Sequence, residues 1–156
     1  MIRQQLITDL ATLGPWLNSL SSTETPQSEI FSPELSDAFK AVISREIYRN
    51  GWFEPHEVKQ SLKGLSTWLN HETLNAFSSP YAYHEFRPSL GLILAGNLPM
   101  VGFHDILCGL LSGYKLQIKL SSDDQQLIPL IVRGLSELNP LYADLIQLNP
   151  QKLSGF

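Results

Sequence analysis

The stretch Ala95-Gly96-Asn97-Leu98-Pro99-Met100-Val101-Gly102-Phe103 constrains this chain more than any other. It separates a short apolar run, Leu90 to Leu94, from a longer one, Met100 to Leu111. Gly96, Asn97 and Pro99 are turn residues, and Pro99 suits the first turn of a helix. The expected local structure is a strand, a tight turn and a helix. Such a turn aims the free N–H groups of the helix N-terminus, with the side chain of Asn97, into one crevice. In α/β proteins that crevice binds anions or stabilises developing negative charge.

The pattern repeats downstream. Gly113 fits a helix C-cap, and Tyr114 to Leu120 (YKLQIKL) alternates like a strand. Ser122 with Gln125 reads as a capping box, and Asp123 and Asp124 suit the positive end of a helix reaching about Leu138, bent at Pro129. Asn139-Pro140 breaks it, and Ala143 to Leu148 reads as a third strand. The order β-α-β-α-β implies a parallel sheet with crossover helices.

The first half reads as helical. Residues 5–20 have loose helical spacing, interrupted by Gly14-Pro15, and the polar stretch Ser21 to Glu29 reads as loop. Ser32-Pro33-Glu34 supplies a cap, a proline and an early acid for a helix with Leu35, Phe39, Val42, Ile43 and Ile47 on one face. Asn50-Gly51 ends it. A further helix from Glu54-Pro55 carries Val58, Leu62, Leu65 and Leu69, and Leu74 and Phe77 suggest one more. Residues 78–89 connect the halves. The expected division is a helical region, 1–86, and an α/β region, 87–156.

At 156 residues and 43% hydrophobic content the chain has the length and apolar content of one ordinary domain. The net charge of −4 comes with scattered basic residues, which excludes a nucleic-acid stripe. No apolar stretch approaches a membrane span and no leader pattern is present, so the expectation is a cytoplasmic protein. Its one cysteine, Cys108, excludes an internal disulfide and a multi-cysteine zinc site. His56, His71 and His84 each precede Glu, but none has the second histidine of a metalloprotease helix, so no metal is expected. Trp16, Trp52 and Trp68 read as core anchors. The dinucleotide and P-loop glycine fingerprints are absent.

The residues Gly91 to Asp105, then Ser112-Gly113-Tyr114-Lys115, then Lys119-Leu120-Ser121-Ser122-Asp123 resemble the acyl-CoA reductases of the bioluminescence (Lux) type, a branch of the aldehyde dehydrogenase superfamily. Asn50-Gly51-Trp52-Phe53 is similar to that family's N-terminal region. The resemblance spans residues 35 to 156 and is strongest from 90 to 125. It implies a partial Rossmann-like nucleotide-binding sheet of aldehyde dehydrogenase type. The implied activity is reduction of fatty acyl-CoA, or of an acyl group delivered by a carrier protein, to aldehyde with NADPH through a cysteine thioester. Asn97 matches the oxyanion-hole asparagine. Leu94, Ala95 and Gly96 match the strand end along the cofactor, and Lys119 the lysine on the adenosine ribose. Ser121 and Ser122 fall where a carboxylate favours NAD and a small hydroxyl leaves room for a 2′-phosphate, so NADP is expected over NAD.

The chain also departs from that family. The family's nucleophilic cysteine, later glycines and acid/base residue lie beyond the third strand, so the expectation is a truncated N-terminal portion, inactive alone and self-associating through its open edge. Cys108, in an apolar helix, reads as packing. Each motif also has a plainer reading: Asn97 as a turn former, Lys119 as a solvated strand end, Ser122 as a cap. The alternative function is a non-catalytic α/β binding or assembly module.

Overall fold

The computed structural model describes residues 2–22, 30–149 and 152–154. Among them lie seven α-helices and one three-stranded sheet. The helices α1 (Arg3–Ser21), α2 (Pro33–Arg45), α3 (Pro55–Trp68) and α4 (His71–Ser78) precede the sheet. A 3₁₀ turn, Glu46–Tyr48, follows α2. Then come β1 (Ser89–Ile93), α5 (Phe103–Leu111), β2 (Lys115–Lys119), α6 (Leu127–Leu138), α7 (Tyr142–Leu145) and β3 (Ile146–Leu148). The expected loop at 21–29 lies, from residue 23 on, outside the described residues.

The strands are parallel in the order β1-β2-β3, with Ile93 opposite Lys119 and Ile118 opposite Leu148. A helical lead-in followed by a parallel α/β sheet is therefore the architecture. Leu116 and Ile118 of β2 face α5 and are buried, whereas Lys115 and Lys119 point the other way and are exposed. On that open face Ile93 is 74% exposed. Gln117 there holds the backbone of Ser154, donating to its carbonyl at 2.6 Å and accepting from its N–H at 3.1 Å.

Helix α1 packs against α3, α4, α5 and α6, and one continuous apolar core joins both halves of the chain. Arg3 ties its start to the rest, donating to the carbonyls of Leu111, Ser78 and Tyr81 at 3.0, 3.1 and 2.7 Å. Gly14-Pro15 does not interrupt α1. A Cβ at Gly14 would strike the Leu69 carbonyl oxygen, so the glycine lets α1 approach the end of α3. Pro15 forfeits one helical hydrogen bond, a loss of ~3 kcal/mol. Burying Leu13, Trp16, Leu17 and Leu20 at about 1.5–3 kcal/mol each outweighs it.

Four further expectations are corrected. Helix α5 starts at Phe103, not near Met100, so Pro99 lies in the preceding turn. Ser122 and Gln125 form no capping box: Ser122 Oγ donates to Asp123 Oδ1 at 3.3 Å, and α6 starts only at Leu127. Pro129 is the third residue of α6, where a missing N–H costs no helical bond, so no bend is required. Residues 142–145 form α7, leaving β3 only Ile146–Leu148. Among the described residues no helix is long and apolar enough to cross a membrane.

Candidate functional site

Two loops meet at the carboxyl end of the sheet: 94–102 after β1 and 120–126 after β2. Their proximity follows from the parallel register, and the Leu94 N–H extends it by donating to the Lys119 carbonyl at 3.0 Å. Gly96 is buried where the loops touch. A Cβ there would collide with the Ser121 side chain and lie 3.3 Å from the Asp124 N, so only glycine allows this approach. Ser121 Oγ also accepts from the Asp123 N–H at 3.2 Å, which holds the second loop in its turn.

Asp124 joins the loops from beneath. It is 3% exposed, and its Oδ2 accepts from the Met100 N–H at 2.7 Å, a short charge-assisted bond. Met100 has φ 59°, left-handed backbone that a side chain other than glycine keeps only when its surroundings hold it. Burial raises the Asp124 pKa, while the amides of Met100, Leu127 and Ile128 pull it back. Asp124, rather than Ser122, thus supplies negative charge to the start of α6. Its Oδ1 makes no hydrogen bond. Glu46, 3% exposed, is raised too, first by burial and also by the charge of Asp124, with Arg49 opposing.

Asn97 is exposed and lines a cleft of about 610 Å³ with Gly96, Arg49, Asn50, Gly51, Trp52 and Asp123. Ala95 lies on the other side of the loop, in a cleft of about 500 Å³ with Met100, His104 and the α3 residues Leu65 and Trp68. Leu94 is core, 5% exposed. Lys119 and Ser122 are exposed at the same end of the sheet, but neither lines the Asn97 cleft. The structure therefore brings Gly96, Asn97, Ser121 and Ser122 onto adjoining loops, and sets Lys119 beside them on the open sheet face. An ammonium at 119 and hydroxyls at 121 and 122 gather there, with the Asp123 carboxylate accepting from the Ser122 hydroxyl at 3.3 Å.

Sequence reasoning missed Arg49, Trp52 and Asp124 as parts of this region. Trp52 is 84% exposed, against the expectation of a core anchor, and so is Trp68 at 43%; only Trp16 is buried. Cys108 is half-buried rather than fully packed. Its Sγ lies 3.7 Å from His104 Nδ1, and burial, with the charge of Asp105, raises its pKa. That holds it as thiol, the poorer nucleophile. Comparison of the chain with family models, with curated proteins and with solved structures finds no match in any of the three.

Proposed function

We propose that this chain forms the nucleotide-binding side of an NADP(H)-dependent acyl-CoA reductase of aldehyde dehydrogenase type, working in the cytoplasm on fatty acyl-CoA or a carrier-bound acyl group. The observation that carries this reading is the glycine-asparagine turn at the carboxyl end of β1, packed against the serine turn at the carboxyl end of β2. Open parallel sheets bind their ligands in that place. NADPH would supply a hydride to the acyl carbon. The chain's own part is to hold it, with Lys119 and the hydroxyls of Ser121 and Ser122 at the adenosine end and the backbone of Leu94, Ala95 and Gly96 along its length. The Asn97 amide would donate to the thioester oxygen as charge builds there, an interaction worth on the order of 100-fold or more in rate.

Titration of NADPH fluorescence tests the reading. Saturable binding is expected, weakened about tenfold in Lys119→Ala by loss of a charge-assisted hydrogen bond. Ser122→Glu places a carboxylate against the 2′-phosphate and should shift preference toward NADH. Absence of saturable binding would sink the proposal. With Cys108 held as thiol, this chain mixed with acyl-CoA and NADPH should consume no NADPH. Turnover abolished by Cys108→Ala would overturn its assignment to packing.

A second reading, a non-catalytic assembly module, is favoured by the open sheet face with Ile93 uncovered. It predicts no NADPH binding and association through that face.

A further inference from the structure

Three aromatic rings from three helices surround a cavity that the reductase reading leaves unused. Trp68 closes α3, Phe77 lies in α4, and His104 lies in the first turn of α5. The imidazole meets both larger rings. Its centroid is 5.8 Å from that of Trp68 and 6.2 Å from that of Phe77, with the planes at 82° and 67°. Rings crossed so steeply form walls rather than a stack. They line a cavity of about 270 Å³, with Leu74 and Leu107 as its buried floor and the exposed Thr73 beside them.

The walls are held in place before any ligand arrives. Asn70 fixes the corner between α3 and α4: its Nδ2 donates to the Thr67 carbonyl at 2.9 Å, and its Oδ1 accepts from the Thr73 N–H at 2.9 Å. Tyr81 packs against Phe77 at 6.0 Å between centroids, and the Cys108 thiol lies 3.7 Å from His104 Nδ1. The rings are nonetheless uncovered, with Trp68 43% and Phe77 40% exposed. Aromatic side chains held this way lose little freedom when a ligand enters between them.

The lining decides what can enter. Sites for drug-sized ligands hold roughly 300–1,000 Å³, so this cavity suits a compact group and not a chain or a whole nucleotide. Among the described residues no lysine or arginine lines it or the adjoining cleft of Met100 and Leu65. That cleft does carry Asp105, whose Oδ1 lies 4.0 Å from His104 Nδ1. A cation is therefore favoured by the ring faces and by that carboxylate. A primary ammonium would exchange its hydration for acceptors that are scarce here, because the Thr73 hydroxyl already accepts from Asn70 Nδ2 at 3.0 Å. A quaternary ammonium has no N–H to satisfy, and its methyl groups fit apolar walls.

We propose that the cavity between Trp68, Phe77 and His104 binds a trimethylammonium group. The inference is independent of the reductase reading and uses none of the residues assigned to it. The group occurs on small free molecules such as choline and on phosphatidylcholine headgroups.

Isothermal calorimetry at matched ionic strength compares choline with two probes. Neohexyl alcohol has carbon in place of the charged nitrogen, and ethanolamine is the primary ammonium. Choline should bind at least about tenfold tighter than either. Trp68→Leu and Phe77→Leu should each narrow the gap between choline and the alcohol by about fivefold. Loss of fold would abolish both ligands together, so the alcohol separates it from loss of a ring face, and the wild-type comparison stands without either variant. Equal affinity for choline and the alcohol would make the cavity merely apolar and overturn the proposal. Ethanolamine as tight as choline, no choline binding, or a gap unchanged in both variants overturns it as well. Sedimentation with phosphatidylcholine vesicles, and not with phosphatidylglycerol vesicles, assigns the group to a lipid; choline binding without it assigns the group to a free molecule.

Discussion

Asp124 shows how a single side chain governs the candidate site. It reads in the sequence as one of two acids at the positive end of a helix, but it lies buried beneath the Asn97 turn with the Met100 N–H on its Oδ2. Removing the acceptor strands that N–H in the interior, so Asp124→Ala should cost about 1–3 kcal/mol by urea unfolding. Asp124→Asn keeps an acceptor oxygen and sheds the charge, and should match the wild type at pH 7. The pH dependence follows from the direction of the shift. A carboxyl raised above its ordinary value of 3.8 binds its proton more tightly when folded. Its contribution to stability is therefore greatest at low pH and is lost as pH rises through the folded-state value. Glu46, raised above 4.5, acts in the same direction. Unfolding curves from pH 3, below the ordinary value, up to pH 8 should show wild type losing more stability between them than Asp124→Asn. A larger loss in the variant would contradict the burial argument.

The same contrast appears in whole elements. Helices α2 and α3 start where Ser32-Pro33 and Glu54-Pro55 place them, because caps and first-turn prolines act locally. Ser32 does more than cap: its Oγ accepts from the Leu35 N–H at 3.2 Å and donates to Glu137 Oε1 at 2.8 Å, tying α2 to α6. Ser32→Ala should therefore cost about 1 kcal/mol or more, measured by thermal unfolding. Helix α1 behaves differently, since Gly14-Pro15 would break an isolated helix and its survival depends on α3. Alanine at position 14 improves helix propensity by ~1 kcal/mol. Its Cβ, however, would meet backbone, with the Leu69 carbonyl carbon at 3.3 Å and Leu69 Cβ at 3.1 Å. Overpacking of about 1–3 kcal/mol should win, so Gly14→Ala should lower the melting temperature. A rise would mean that α1 and α3 separate more easily than this packing implies.

In the whole molecule, among the described residues, helices cover one face of the sheet, and the other carries only the segment held at Ser154 by Gln117. Parallel sheets are ordinarily covered on both faces, and both β1 and β3 are edge strands here. The exposed Ile93, flanked by no other large apolar side chain of β2 on that face, lies where a second surface would bury it. Self-association through the open face or an edge is the expected outcome, detectable by sedimentation velocity as a concentration-dependent mass. Ile93→Lys should reduce it without changing the fold. A strict monomer at high concentration in the wild type would count against a role for that face.

Periodicity, with turn and cap residues, was sufficient for the parallel sheet and for the order of the elements other than α7. The alternation in YKLQIKL also foretold a strand with one solvated face, because side chains alternate strictly along a strand. The Gly96-Asn97 turn was legible as well, since turn residues act over three or four positions, whereas Ser121-Ser122 read as a helix start and belongs to a loop that reaches Leu127. Only the tertiary structure decided that α1 stays whole, that Asp124 rather than Ser122 serves the start of α6, and that Arg49 and Trp52 face Asn97. Those outcomes depend on residues 24 to 73 positions apart in the chain, such as Met100 with Asp124 and Asn50 with Asp123, and local sequence carries no energy term for a partner so distant. Packing supplied it.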